Sequence, residues 1–240
     1  VKFSIVIPAY NEEKLLGDSL EKIKESLAVL TENGHDWELI VCDNNSTDKT
    51  AEIAKTAGAR VVFESVNQIS RARNTGASVA TGDWLVFIDA DSYPAPGLMK
   101  ELLENIRQRN VIGGGAMVYM KTTDFASSCC LFIWRRISRC LKWAAGSFLF
   151  CSANAFKELG GFTTELFASE EIEFSKRLKK LARKKQKKVV VLKSEILTSD
   201  RKLKIYGSRE YLKLCWQLIL NGKNTLKHRE FLHIWYDGKR

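Results

Sequence analysis

Phe3-Ser4-Ile5-Val6-Ile7-Pro8-Ala9-Tyr10-Asn11-Glu12-Glu13 opens the chain with an apolar, β-rich run that a proline ends, and a polar loop follows. Leu15, Leu16, Leu20, Ile23, Leu27 and Leu30 come next at helical spacing. The stretch reads as strand, loop, helix. The pattern recurs downstream: residues 38–42 read as a strand, 47–57 as a helix capped by Ser46 or Thr47, 59–63 as a strand, and 70–80 as a helix. Residues 84–88 read as a fourth buried strand and residues near 97–107 as a helix. Repeated βα units whose strands are apolar on both faces predict an α/β fold, with a Rossmann-like, mostly parallel sheet flanked by helices and joined by right-handed crossovers. In such sheets ligands bind beyond the carboxyl ends of the strands. A ligand is therefore expected at residues 8–12, 43–46 and 89–92.

Composition supports an ordinary folded chain. Of 240 residues, 45% are hydrophobic and 28% charged, with 15 Gly and 3 Pro, which excludes collagen-like, disordered and low-complexity classes. The formal charge of +10 is unevenly spread: residues 1–120 carry 12 basic and 17 acidic side chains, and residues 121–240 carry 26 and 11. An acidic front and a strongly basic back predict an anionic partner for the second half. Six cysteines without a CxxC pair read as reduced thiols, and the most apolar stretch, 125–134, is too short to cross a bilayer. These features set the expectation of a cytoplasmic protein without a targeting peptide.

The loops after the strands carry the chemistry. The first contains neither GxGxxG nor GxxxxGK[ST], which disfavours dinucleotide and P-loop sites. Asp43-Asn44-Asn45-Ser46 reads either as a capping turn or as a hydrogen-bonding site for a base. In Asp89-Ala90-Asp91, an extended backbone would turn both carboxylates the same way, toward one divalent cation bound directly or through a diphosphate and water.

Taken together, residues 5–13, 41–48, 72–77 (Ala-Arg-Asn-Thr-Gly-Ala) and 89–91 resemble the ordered motifs of family 2 glycosyltransferases. Leu159-Gly160-Gly161-Phe162 and Ser169-Glu170-Glu171-Ile172-Glu173-Phe174 resemble that family's later signature, a GGF followed by an acidic pair that opens a helix. The resemblance covers roughly residues 3–183 and implies a GT-A type fold that transfers sugar from a UDP- or GDP-sugar donor to an acceptor hydroxyl, by direct displacement with inversion. By similarity, Pro8, Ala9, Tyr10 and Glu12 would hold the nucleoside and Asp43 the base. Arg73 would lie near the diphosphate or sugar, Asp89 and Ala90 would meet the donor, and Asp91 with Asp89 would bind Mg²⁺ or Mn²⁺. The acceptor hydroxyl must lose a proton, so a carboxylate has to face it. Glu171 is the first candidate for that base. The family usually has Glu-Asp where this chain has Glu170-Glu171, which leaves the choice between the two open. The bland alternative is that both acids stabilise a helix N-terminus.

The expected organisation is a donor half (1–110), an acceptor and catalytic half (111–200) and a basic amphipathic C-terminal helical extension (201–240). Residues 130–143 project as a basic amphipathic helix, and residues 176–188 hold nine basic side chains. They read either as a dock for the inner face of an anionic membrane, beside a glycan or lipid-linked acceptor, or as a solvated surface. Ser199-Asp200-Arg201 resembles a segment that some relatives carry after the last core strand, where it can contact diphosphate or acceptor. Gly113-Gly114-Gly115 reads as a bulge or strand bend. Two alternatives compete. A sugar nucleotidyltransferase should carry a Gly-rich basic loop after strand one, which residues 8–13 are not. A nucleic-acid-binding module on the basic half shows no recognisable motif and leaves Asp89, Asp91, Glu170 and Glu171 without a role, so no nucleic acid is expected.

Overall fold

The computed structural model describes residues 1–120, 146–201, 204–207, 210, 213 and 224–237. Within them lies an eight-stranded sheet of order β3-β2-β1-β4-β7-β6-β8-β5. The strands are β1 (Lys2–Ala9), β2 (Asp36–Asp43), β3 (Arg60–Phe63), β4 (Trp84–Ile88), β5 (Ser92–Pro94), β6 (Val111–Met120), β7 (Phe148–Ser152) and β8 (Lys188–Thr198). The helices that cover them are α1 (Leu16–Glu32), α2 (Thr50–Thr56), α3 (Ile69–Ser78), α4 (Leu98–Arg107), α5 (Ala153–Leu159) and α6 (Glu170–Lys184). Short helical turns at Asn224–Lys227, Arg229–Leu232 and His233–Tyr236 follow.

Alternation along the strands divides the core into two layers. Phe3, Ile5 and Ile7 of β1, Val86 and Ile88 of β4, and Phe148 and Phe150 of β7 pack with the apolar faces of α1, α2 and α4. Val6, Leu85, Phe87, Leu149 and Cys151 point the other way, toward α3, α5 and α6 through Ala77, Phe156, Phe174 and Leu178. Every strand of the centre is thus apolar on both faces, as the sequence pattern requires.

The sheet is wholly parallel only in its first half. β3, β2, β1 and β4 run together. β7 then enters antiparallel to β4, β6 pairs antiparallel with β7 and parallel with β8, and β5 closes the edge antiparallel to β8. The helix expected at 47–57 starts at Thr50 instead, because Ser46 and Thr47 are occupied by Asn11: the Asn11 N–H donates to Ser46 Oγ (3.0 Å), and the Thr47 N–H donates to Asn11 Oδ1 (2.8 Å). Asp48 satisfies the new start by accepting from the Thr50 N–H (2.9 Å). The glycine run sits in β6, where the pairing with β8 shifts register between Val111 and Gly113. A Cβ on Gly114 would lie 2.0 Å from the Val190 carbonyl oxygen, so those strands meet at a distance no side chain allows.

Among the described residues no helix is long and apolar enough to cross a membrane. Cys42 and Cys151 are buried free thiols. The amphipathic stretch 130–143 and the cysteines at 129, 130, 140 and 215 lie outside the described residues.

Candidate active site

The carboxyl ends of β1, β2 and β4 converge with the N-terminal ends of α3 and α6, and the motif residues gather there. Gly76 sets the approach: an added Cβ would meet Val6 Cγ1 at 2.5 Å, so only glycine lets α3 lie this close to β1. One turn earlier on the same helix, Arg73 is 6% exposed. Its guanidinium bridges two carboxylates, with Nη2 2.8 Å from Asp89 Oδ1 and Nη1 2.5 Å from Glu170 Oε1. Burial opposes the Arg73 charge, but Asp89, Glu170 and Glu171 overcome it and hold the guanidinium more firmly protonated than usual. Glu170, 3% exposed, is therefore committed to Arg73.

Glu171, next along the first turn of α6, is only half-buried and forms no ion pair among the described residues. Burial, and then the Glu170 carboxylate beside it, push the Glu171 carboxyl up to about 8 against the opposing pull of Arg73. This environment separates the two acids that the sequence leaves equivalent. One is a buried partner of Arg73, and the other is a carboxyl whose protonation is favoured by its surroundings.

The glycine-containing loop before α6 is clamped on both sides. Asn74 of α3 donates from Nδ2 to the Phe162 carbonyl and accepts from the Phe162 N–H at Oδ1, both at 2.9 Å. Arg177 of α6 donates to the Leu159 carbonyl (2.6 Å) and the Gly161 carbonyl (2.8 Å) while pairing with Glu173 (2.7 Å). Gly160 and Gly161 both have positive φ, at 71° and 75°. Asn74 lies in the 72–77 motif without being singled out there, and Arg177 is one of nine basic residues in 176–188; a role for each required knowing which loop it faces.

The Asp89-Ala90-Asp91 segment is a turn rather than extended, closed by the Ser92 N–H donating to the Asp89 carbonyl (3.1 Å). The two carboxylates consequently face different partners. Asp89 turns to Arg73, while Asp91 Oδ2 lies 3.9 Å from Arg201 Nη2. Arg201 reaches this position because the Ser199 N–H, just after β8, donates to the Asp91 carbonyl (3.2 Å). The same Arg201 nitrogen donates to both Glu12 oxygens at 2.7 and 2.9 Å, across 189 residues of sequence. Glu12 and Arg201 thus form an ion pair beside Asp91, and the carboxylate expected to hold a nucleoside is already paired with an arginine.

The remaining expected residues divide by exposure. Ala9 and Ala90 bury their side chains in the core, so only their backbone could face a ligand, and the Ala9 carbonyl already accepts from the Asn44 N–H (2.8 Å). Pro8 and Tyr10 are half-buried at the end of β1. Asp43 accepts from the Ser46 N–H (3.0 Å), which is the capping-turn alternative for this loop. Asn44 holds the neighbouring loop by donating to the Glu64 and Val66 carbonyls and accepting from the Gln68 N–H. Basic residues 176–188 begin nearly two turns into α6 and end at the first residue of β8. This helix of 15 residues is about 22 Å long at 1.5 Å per residue, so Arg183, Lys184, Lys185, Lys187 and Lys188 are exposed far from Glu171.

For a divalent cation, the donor set offers Asp91 and the second oxygen of Asp89, both hard carboxylates. Among the described residues no group of three or more His, Cys, Asp or Glu side chains could hold a metal alone. Two carboxylates fit a cation whose coordination shell is completed by diphosphate oxygens and water.

A mixed sheet of this order with carboxylates, an arginine and a helix N-terminus gathered beyond its strands defines a GT-A type fold, and solved structures share it. The mannosyltransferase PcManGT from Pyrobaculum calidifontis, in complex with GDP-Man and Mn²⁺, superposes with a TM-score of 0.66 at 18% identity over 88% of this chain and 59% of that one. Glucosyl-3-phosphoglycerate synthase from Mycobacterium tuberculosis, in complex with Mn²⁺, UDP-glucose and phosphoglyceric acid, does so with a TM-score of 0.62 at 21% identity over 88% and 77%. Residues 4–155 match the model of glycosyl transferase family 2, and the chain belongs to that family. EpsJ of Bacillus subtilis (strain 168), described as an uncharacterized glycosyltransferase, is 28% identical over 126 residues, 50% of this chain and 35% of EpsJ. The chain spans less than half the length of the first curated relatives it matches.

Proposed function

We propose that the chain transfers a sugar from a UDP- or GDP-sugar to an acceptor hydroxyl with a divalent cation, and that Glu171 is the general base of an inverting displacement. The observation that carries this reading is the Arg73 bridge. By tying Asp89 to Glu170 it sets the end of β4 against the start of α6, which brings the Glu171 carboxyl, with its raised pKa, next to the segment proposed to hold the donor. Glu171 would accept the proton of the acceptor hydroxyl, and a pKa near operating pH suits a base for that step. Asp91 and Asp89 would hold Mg²⁺ or Mn²⁺, which supplies Lewis-acid stabilisation of the departing diphosphate. Pro8, Tyr10 and Asp43, at the ends of β1 and β2, would contact the nucleoside. Arg73 would act through Asp89 and Glu170, its two carboxylate partners, rather than as a free cation. The proposal gains support from the neighbours that bind UDP-glucose or GDP-Man with Mn²⁺ on the same fold.

Calorimetric titration of UDP and GDP, with and without Mn²⁺, on the wild type and Asp91→Asn tests the reading. Metal-dependent binding of one nucleotide that is lost in Asp91→Asn is expected. No binding of either nucleotide under any metal condition would overturn it.

A further inference from the structure

The end of the described chain closes over the loop that delivers the two acids. Leu232, Ile234 and Tyr236 form a small apolar cluster with Ala168, against which Phe167 and Ile69 pack, separate from the two core layers. Phe167 has both backbone groups satisfied from this segment: its N–H donates to the Leu226 carbonyl (2.8 Å), and its carbonyl accepts from the Tyr236 hydroxyl (2.6 Å). The same hydroxyl oxygen accepts from the Ile69 N–H (3.5 Å), across 167 residues. Ile69 is the first residue of α3, one turn before Arg73, and Phe167 lies just before Ser169, which adopts a left-handed conformation at the start of α6. One buried hydroxyl therefore joins the two segments whose side chains meet in the Arg73–Glu170 pair.

The surroundings keep that hydroxyl in place. The Phe167 ring stands edge-on to Tyr236 at 5.7 Å and 83°, and the Arg229 guanidinium covers the Tyr236 ring at 5.2 Å. Gln68, immediately before α3, donates to the Thr164 and Leu166 carbonyls, both at 2.9 Å, so the loop is tied to α3 from a second side. Burial raises the phenol well above its ordinary pKa, so it remains a hydrogen-bond donor across the physiological range.

We infer that Tyr236 is a positioning residue for transfer, fixing the loop before Glu170 and Glu171 against the start of α3 so that Glu171 is held toward the acceptor. The inference rests on the transfer reading, and it makes the terminal turns part of the catalytic assembly rather than an appendage. Removing the hydroxyl while keeping the ring leaves the loop able to shift, and small displacements of a base are costly in rate. Pro8, Tyr10 and Asp43, proposed to contact the nucleoside, are not members of this apolar cluster, so donor binding is expected to be spared.

The test compares wild type and Tyr236→Phe by amide hydrogen exchange and by the rate of donor hydrolysis, in which water takes the sugar and the nucleoside diphosphate leaves, from UDP-glucose and GDP-mannose with Mn²⁺. The expected result is faster exchange confined to residues 163–171 and the start of α3. A fall in kcat on the order of tenfold, with the donor KM within about twofold of wild type, should accompany it. Unchanged exchange overturns the inference, and so does faster exchange with an unchanged kcat, since the tyrosine would then hold only the chain end. A wild type that binds neither UDP nor GDP under any metal condition overturns the transfer reading, and this inference with it.

Discussion

Arg73 and Glu170 lie 97 residues apart in sequence and 2.5 Å apart in space, both almost fully buried, at the junction of the second layer of helices with the end of β4. Such a pair is costly to desolvate, and it is kept only when each charge is satisfied. Arg73 has Asp89 as a second partner, so neutralising Glu170 leaves the guanidinium half-satisfied rather than orphaned. Glu170→Gln should therefore cost about 3 kcal/mol, the lower end for breaking a buried pair. Urea unfolding at neutral pH measures it. A loss below about 1 kcal/mol, the range of exposed ion pairs, would show that the pair is not desolvated in solution.

Glu171 should report its environment through pH. Its carboxyl is pushed up to about 8, above the ordinary glutamate value, so the folded protein favours the protonated form. A raised folded pKa contributes stability that is complete below the unfolded pKa near 4.5 and is lost as pH rises through about 8. Wild-type stability should fall between pH 5 and 8.5, and Glu171→Gln should flatten that slope. As a base Glu171 must be ionised, so kcat/KM should rise with pH up to about 8, and Glu171→Gln should lower kcat by about 10²–10⁴ while nucleotide binding survives. Wild-type turnover in the glutamine variant, measured at pH 8, would sink the assignment.

The front of the fold was legible because each of its strands and helices carries its own periodicity. Leu16, Leu20, Ile23, Leu27 and Leu30 mark one helix face, and the run from Trp84 to Ile88 marks a strand buried on both sides. Boundaries slipped where side chains compete with backbone: Asn11 takes Ser46 and Thr47 and delays α2 to Thr50. Beyond β4 the pattern gives no direction. Nothing local to Phe148–Ser152 says that it runs against β4, because strand polarity is set by the path of the intervening chain. The same holds for the site. Motif residues were recognisable one by one, but Arg201 on Glu12, Asn74 on Phe162 and Tyr236 on Phe167 are pairings over 69 to 189 residues that no local spacing encodes.

The two adjacent glycines before Phe162 should respond differently to one methyl group. Gly160 and Gly161 both sit at positive φ, which costs a substituted alanine about 1–2 kcal/mol. A Cβ on Gly160 meets nothing within 4 Å, whereas one on Gly161 would lie 2.6 Å from Asn74 Oδ1, the atom that holds the Phe162 N–H. Gly161→Ala must therefore add the cost of displacing a hydrogen-bonded side chain, about 1–3 kcal/mol more. Thermal unfolding of the two variants side by side decides it. Equal destabilisation would mean that the Asn74 clamp yields freely.

The cation and the nucleotide should bind cooperatively. Asp91 has Arg201 Nη2 at 3.9 Å, Asp89 already spends one oxygen on Arg73, and among the described residues no third acidic, histidine or cysteine ligand completes a metal site. Mn²⁺ alone is thus opposed by two neighbouring guanidiniums and offered too few oxygens, while a diphosphate would supply the missing ligands and its own negative charge. Coupling is reciprocal in free energy, so the factor by which nucleotide tightens Mn²⁺ must equal the factor by which Mn²⁺ tightens nucleotide, expected to be about tenfold or more. Paired titrations in both orders, with UDP and with GDP, measure the two factors independently. Tight Mn²⁺ binding without nucleotide, unaltered in Asp91→Asn, would place the metal elsewhere and remove Asp89 and Asp91 from the reaction.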